Sequence, residues 1–156
     1  MTIRELMSGR LITVPRETPV AEARDLMARQ RIRHLLVTEG SRALVGVVTD
    51  RDIRLNLPSQ ATSLSAGEIN HLLAKLTVGE IMTSSVITVE SHRPAHEAAR
   101  LMLDHKIGAL PVVDAGCLIG IVTETDIVRA FVTVTGAGVE ASAGQQGAQH
   151  PHQHPG

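Results

Sequence analysis

The chain has 156 residues, 43% of them hydrophobic and 20% charged, which suits a soluble globular protein of one compact domain or two small lobes. Fifteen Lys and Arg against sixteen Asp and Glu leave a net charge of -1, and there is no Trp, no Tyr and only Phe131, so bulk nucleic-acid binding is disfavoured and a base-stacking sheet is excluded. The single Cys117 rules out an internal disulfide framework and a thiolate zinc site, and with no apolar run of about 18 residues the chain is expected to be cytoplasmic, neither exported nor membrane-inserted.

In chain order, Ile12-Thr13-Val14 reads as a short β-branched strand, and Val20, Ala23, Leu26 and Met27 recur at helical spacing between Pro19 and Gln30. Leu35-Leu36-Val37 and Leu44-Val45-Gly46-Val47-Val48 are β-type runs separated by the turn residues Glu39-Gly40-Ser41, and a last helix starts at Thr49. The polar stretch from Pro58 to Ala66 is a loop. At its end Ser65-Ala66-Gly67-Glu68 has the form of a capping box before Ile69, Leu72, Leu73 and Leu76, an amphipathic linker helix.

The pattern then repeats. Shifted by 75 residues, Glu5-Leu6-Met7 meets Glu80-Ile81-Met82, Ile12-Thr13-Val14 meets Ile87-Thr88-Val89, and Pro19 meets Pro94; after one deletion Gly46-Val47-Val48-Thr49 meets Gly120-Ile121-Val122-Thr123. Over 51 aligned positions 19 are identical, mostly apolar or Gly, Thr and Asp, which marks an internal duplication. The expected architecture is α+β: two tandem β-α-β-β-α repeats, each too small to bury its sheet alone, packed pseudo-symmetrically through their sheets. The expected divisions are 1–57 for the first repeat, 58–77 for the linker, 78–134 for the second repeat and 135–156 for a Gly, Gln, His and Pro-containing tail too poor in apolar bulk to fold.

The sharpest constellation is Gly46-Val47-Val48-Thr49-Asp50-Arg51-Asp52 with its echo Gly120-Ile121-Val122-Thr123-Glu124-Thr125-Asp126. In each, a strand ends and a Thr opens a helix with Asp three residues on. The plain structural reading is a helix cap. The functional reading is that a helix N-terminus with a hydroxyl holds phosphate while a fixed carboxylate accepts ribose hydroxyls. Retention of Thr and Asp in both copies, where Arg51 has become Thr125, favours the site.

These motifs, with Ile107-Gly108-Ala109-Leu110-Pro111-Val112-Val113-Asp114, resemble paired CBS domains, the Bateman module, over residues 3 to 133. The linker text Pro58-Ser59-Gln60-Ala61-Thr62-Ser63-Leu64-Ser65 followed by Leu72-Leu73-Ala74-Lys75-Leu76 is similar to the acetoin-utilisation-type CBS proteins, without the ACT domain that some of them carry. The resemblance implies an energy-sensing regulatory module, not an enzyme and without a cofactor, that binds adenine nucleotides (AMP, ADP or ATP) between the repeats as a homodimer. One cleft would combine Thr49, Arg51 and Asp52 with Ile87, Thr88, Ala109 and Pro111; the other would combine Thr123 and Asp126 with Ile12, Thr13, Arg33 and His34. On that pattern Asp52 and Asp126 hold ribose, the Thr hydroxyls face phosphate and the apolar residues flank adenine. Leu36 stands where the second repeat has Pro111, and with Thr125 at the position equivalent to Arg51 the two clefts are expected to differ in affinity.

Other readings are a scaffold with vestigial clefts, a sensor of S-adenosylmethionine or a dinucleotide, and a DNA-binding regulator using the Arg-rich first repeat, which holds ten Arg against seven acids over residues 1–57. His92 and His96 lie at i, i+4 without a completing ligand, and His150, His152 and His154 alternate in the tail; neither set is expected to be a metal site.

Overall fold

The computed structural model describes residues 1–57 and 63–146. The first repeat comprises α1 (Ile3–Leu6), β1 (Thr13–Val14), α2 (Val20–Gln30), β2 (His34–Glu39), β3 (Ala43–Thr49) and α3 (Asp50–Leu55). After α4 (Ala66–Lys75) the second comprises α5 (Val78–Ile81), α6 (Ala95–His105), β4 (Ala109–Asp114), β5 (Cys117–Thr123) and α7 (Glu124–Gln146). The architecture is α+β.

Each repeat is built on an antiparallel hairpin. His34 lies opposite Thr49 in β2–β3, and Ala109 lies opposite Thr123 in β4–β5. β1 adds to the first hairpin in parallel, with Val14 opposite Val37. In the second copy the strand expected at Ile87-Thr88-Val89 is reduced to one parallel bridge, Val89 to Val112, at the duplicated positions. Gly40 turns the first hairpin at φ 62°, and Gly116 turns the second at φ 76°, where a side chain would be strained.

The short helices α1 and α5, absent from the expected β-α-β-β-α order, are exchanged. Ile3, fully buried, packs with Val89, Ala98, Met102, Leu110, Val112 and Val122, the core of the second repeat. Val78 and Ile81 join Val20, Ala23, Met27, Leu35, Val37 and Val48, the core of the first. Backbone bridges accompany the exchange: Ser8 N donates to Ile121 O at 2.9 Å and Ile121 N returns to Ser8 O at 3.0 Å, while Thr83 and Val47 pair likewise at 2.9 and 3.0 Å. A division at residue 57 therefore separates the duplicated text, while each folded lobe takes its first helix from the other copy.

Arg4 anchors α1 on the second lobe. Its guanidinium reaches Ser91 Oγ at 3.3 Å and Asp114 Oδ2 at 3.6 Å, and the buried Ser91 donates to Asp114 from both its N–H and its hydroxyl. Those hydrogen bonds hold the Asp114 carboxyl below its ordinary value.

The two sheets meet through Leu36, Leu118 and Ile121, with Leu44, Val47, Ala109 and Val113 around them. Gly46 and Gly120 allow the exchanged segments to approach. A Cβ on Gly120 would lie 2.6 Å from Met7 Sδ and 3.0 Å from Ser8 O, and one on Gly46 would collide with Met82 Sδ.

The linker helix α4 starts with the expected capping box: Glu68 N donates to Ser65 Oγ at 3.1 Å and Ser65 N to Glu68 Oε1 at 2.9 Å. Leu73 is fully buried against α2, with Ile69 and Leu76 beside it, so α4 completes the first core. Helix α7 runs through Gln146, past the expected end of ordered text at Val134. The Pro58–Thr62 part of the linker and the tail histidines His150, His152 and His154 lie outside the described residues.

Ile3→Ala tests the exchange. Truncating a fully buried Ile costs about 2–5 kcal/mol, and the loss of amide protection measured by hydrogen exchange should fall on β4 and β5 of the second lobe rather than on β2 and β3 of the first.

Candidate functional site

The ladder geometry brings the Thr-x-x-Asp motifs to the line where the repeats meet. Thr49 ends β3 and caps α3: Asp52 N donates to Thr49 Oγ1 at 3.1 Å, and Thr49 N donates to Asp52 Oδ2 at 2.9 Å. Thr123 and Asp126 repeat the arrangement at 3.3 and 2.8 Å. Both motifs are thus helix caps. The caps differ in two contacts: Thr123 Oγ1 also donates to Asp126 Oδ2 at 3.1 Å, and Arg129 Nη1 sits 3.3 Å from Asp126 Oδ1, whereas Asp52 Oδ1 has no partner among the described residues.

In front of these caps lie two cavities of unequal size. The larger, about 720 Å³, is lined by Thr49 and Arg51 of the first repeat and by Ile87, Ala109 and Pro111 of the second. The sequence reading grouped these five together. Asp52 and Thr88, grouped with them, are not on its wall; Thr88 is exposed, and Asp52 is half-buried with one oxygen held by the cap. Arg33, assigned to the other cleft, lines this one, and so do His34 and Thr123. The larger cavity therefore runs from the start of α3 to the start of α7.

The smaller, about 230 Å³, is lined by Ile12, His34, Thr123 and Asp126 as grouped, while Thr13 and Arg33 are not on its wall. Thr13 is exposed because strand alternation turns it away from the face that carries the buried Val14. The duplication explains the smaller volume. His34 occupies the position of Ala109, Leu36 that of Pro111, and Arg10 that of Ser85. Arg10 is also tied across the cavity wall, its Nη2 3.1 Å from Gln30 Oε1. Ligand pockets are usually about 300–1,000 Å³, so the larger cleft has room for a nucleoside and the smaller does not.

His34, Ile32 and Thr123 line both cavities. His34 is half-buried, and burial lowers its pKa from the ordinary 6.5. Around it stand Arg31, Arg33 and Arg51 with Asp50 from the first repeat, and Lys106 with Glu124 from the second. Neither Arg31 nor Lys106 was grouped with a cleft from the sequence. The available signal was a cation at matched positions immediately after α2 and α6, where a glycine is the usual helix stop.

Among the described residues no group of three or more His, Cys, Asp or Glu is placed to hold a metal ion, and no helix is long and apolar enough to cross a membrane. Cys117 is half-buried at the start of β5.

The CBS domain family model matches residues 3–59 and 78–133. Among curated relatives, the chloroplastic CBS domain-containing protein CBSX2 of Arabidopsis thaliana is 34% identical over 154 residues; the match covers 85% of this chain and 64%, less than two thirds, of that protein. The structure of CBSX2 in complex with AMP superposes with a TM-score of 0.70 at 34% identity, covering 85% of this chain and 97% of that one. A putative acetoin utilization protein, AcuB, from Vibrio cholerae superposes with a TM-score of 0.74 at 28% identity, covering 90% and 96%. The CBS domain pair of protein MJ0100 in complex with 5'-methylthioadenosine and S-adenosyl-L-methionine gives 0.69 at 30% identity, covering 84% and 99%.

The lowered pKa of His34 sets a pH dependence. The folded state prefers the neutral ring, so the unfolded chain binds the extra proton first, and stability falls as pH drops from the unfolded value of 6.5 toward the lower folded one. Urea unfolding between about pH 7.5 and pH 5 should show this acid-side loss in the ligand-free protein, and His34→Gln should reduce it.

Proposed function

The chain belongs to the CBS domain family, and from that premise we propose that it is a regulatory, non-catalytic module that binds an adenine nucleotide in the larger inter-repeat cleft. The observation that carries the proposal is the composition of that cleft, in which a helix-capping Thr49 and Arg51 from one repeat face the apolar Ile87, Ala109 and Pro111 of the other. Apolar walls suit a purine, and a hydroxyl with a guanidinium suits phosphate. Asp52 lies off that wall, beside the cap; with one oxygen fixed by the Thr49 N–H and the other unpartnered among the described residues, it is proposed to reach the ribose from there.

The relatives' ligands, AMP in CBSX2 and methylthioadenosine with S-adenosylmethionine in MJ0100, share adenosine and differ in charge. Arg31, Arg33, Arg51 and Lys106 on the wall of this cleft favour an anion and oppose a sulfonium cation. A nucleotide is therefore the preferred ligand. The smaller cavity, filled by His34, Leu36 and the Arg10–Gln30 pair, is the weaker or empty site. Binding across two repeats is the means of regulation, since a ligand that touches both shifts the balance between their relative positions.

The module is further proposed to act as a homodimer. On α7 Val128, Phe131 and Val132 stand at i, i+3, i+4 and are exposed, Phe131 at 67%, with exposed Leu103 on the packed neighbour α6. An apolar helix face of this kind calls for a covering partner. Light scattering after gel filtration should give a dimer for the wild type and a folded monomer for Phe131→Asp, whose melting temperature is lower by the stabilisation that association supplies.

Calorimetric titration of AMP, ADP, ATP, S-adenosylmethionine and NAD tests the ligand reading. The expected result is micromolar binding of an adenine nucleotide, with Asp52→Asn weakening it about tenfold, the loss of one charge-assisted hydrogen bond, and Asp126→Asn leaving it nearly unchanged. Absence of binding by every adenosine compound would leave the two Thr-x-x-Asp pairs as helix caps alone, and a protein-binding scaffold would become the better reading.

A further inference from the structure

We propose that the larger cleft is built for the phosphate chain of a nucleoside di- or triphosphate, and that Arg31 and Lys106 are the residues that read its length. This rests on the nucleotide-binding reading above and narrows it to a ligand class.

Arg31 and Lys106 occupy duplicated positions, each the residue directly after a helix, with φ 57° and 55° in the left-handed region. A Cβ is unfavourable there and glycine is the default stop. The chain instead places a long cation at both positions, and both line the same cavity. If the positions served only to end α2 and α6, glycine would serve better.

The charges in the cleft are also uncompensated. Arg31, Arg33, Arg51 and Lys106 make no side-chain hydrogen bond or ion pair among the described residues, a condition shared elsewhere only by Arg29, Lys75 and Arg100. Two carboxylates share the wall. Asp50 is already held by Arg54 at 3.2 Å, and Glu124 packs over Gly108, where an added Cβ would lie 2.7 Å from its Oε1. Four free cations against two carboxylates, one of them neutralised, exceed what a single phosphate needs.

The shape fits the same class. The cavity reaches Thr123 and Thr125 at the start of α7 as well as Thr49 and Arg51 at the start of α3. A nucleoside anchored beside Thr49 and Arg51 uses one end, leaving the segment from Arg31 to His34 and Lys106 for further phosphates. The triphosphate thereby engages cations from both repeats, whereas the first phosphate needs only Arg51.

The experiment is calorimetric titration of AMP, ADP and ATP, in magnesium-free buffer, into the wild type, Arg31→Gly, Lys106→Gly and the double variant, with melting temperatures measured alongside. ATP should bind the wild type at least about tenfold more tightly than AMP, and each glycine should weaken ATP by about tenfold, the scale of a charge-assisted contact, and AMP by distinctly less, so that the ATP-to-AMP ratio falls. Melting temperatures of the free variants should hold or rise, because glycine relieves the left-handed positions; a merely structural role for the two cations would not produce that split. Equal affinity for AMP and ATP in the wild type, or an unchanged ATP-to-AMP ratio in the glycine variants, overturns this inference and leaves nucleotide binding standing. No binding of any of the three to the wild type overturns both.

Discussion

Everything in this fold depends on two small sheets covering each other. A hairpin with two helices offers too little interior to stand alone, and the contact of Leu36 with Leu118 and Ile121 is where each hairpin finds its missing layer. That contact needs backbones close enough to exchange hydrogen bonds, which explains a glycine in the same place in both β3 and β5. Gly46 faces Met82 and Thr83, Gly120 faces Met7 and Ser8, and the bridges Val47–Thr83 and Ser8–Ile121 form beside them. The exchanged helices follow from the same geometry: once the segment after α1 is bridged to β5, Ile3 lies over the second core, and its duplicate Val78 lies over the first.

The site is a product of this arrangement and not an addition to it. Where strands β3 and β5 leave the interface, each must begin a helix, and each uses Thr with Asp three residues later to satisfy the first turn. A cap of this type contributes about 0.5–2 kcal/mol, which is sufficient reason for the motif to persist whether or not anything binds. What makes one cap more than a cap is the space in front of it. The duplication supplied two equivalent spaces, and three side chains made them unequal: His34 for Ala109, Leu36 for Pro111 and Arg10 for Ser85 narrow one to about 230 Å³ while the other stays near 720 Å³.

Most of the fold was legible in the sequence, because the duplicated text carries its own register. The 75-residue shift placed both hairpins, both long helices and the caps, and the linker capping box was readable from Ser65 and Glu68 alone. Two features were not legible. A four-residue helix such as Ile3–Leu6 has no periodicity to detect, and nothing local to it says that its apolar residue is buried in the other copy. Extension of α7 to Gln146 was missed because Gly, Ala and Gln give neither an apolar stripe nor a stop. In the site, the residues on strand and helix ends were found by type, whereas facing depended on alternation: Ile12 and Ile87 point inward and their neighbours Thr13 and Thr88 do not. Arg33 illustrates the remaining gap. It was grouped with His34 through the family resemblance, but it precedes β2 in a bend, and the two line the larger cleft together while only His34 also reaches the smaller.

The charge distribution within the cleft bears on regulation. Four cations, Arg31, Arg33 and Arg51 from the first repeat and Lys106 from the second, line one space with the carboxylates Asp50 and Glu124, and the four make no side-chain hydrogen bond or ion pair among the described residues. On the proposed reading, an anion in the cleft would draw these cations toward a common centre. On that reading its occupancy and the closeness of the repeats are linked in both directions: ligand would draw the repeats together, and whatever holds them apart would weaken the ligand. The hydrophobic contact around Leu36, Leu118 and Ile121 keeps the lobes joined throughout, and the exchanged helices tie each lobe to the other copy's chain. On the proposed reading, regulation therefore works through small adjustments about this interface and not through separation of the lobes.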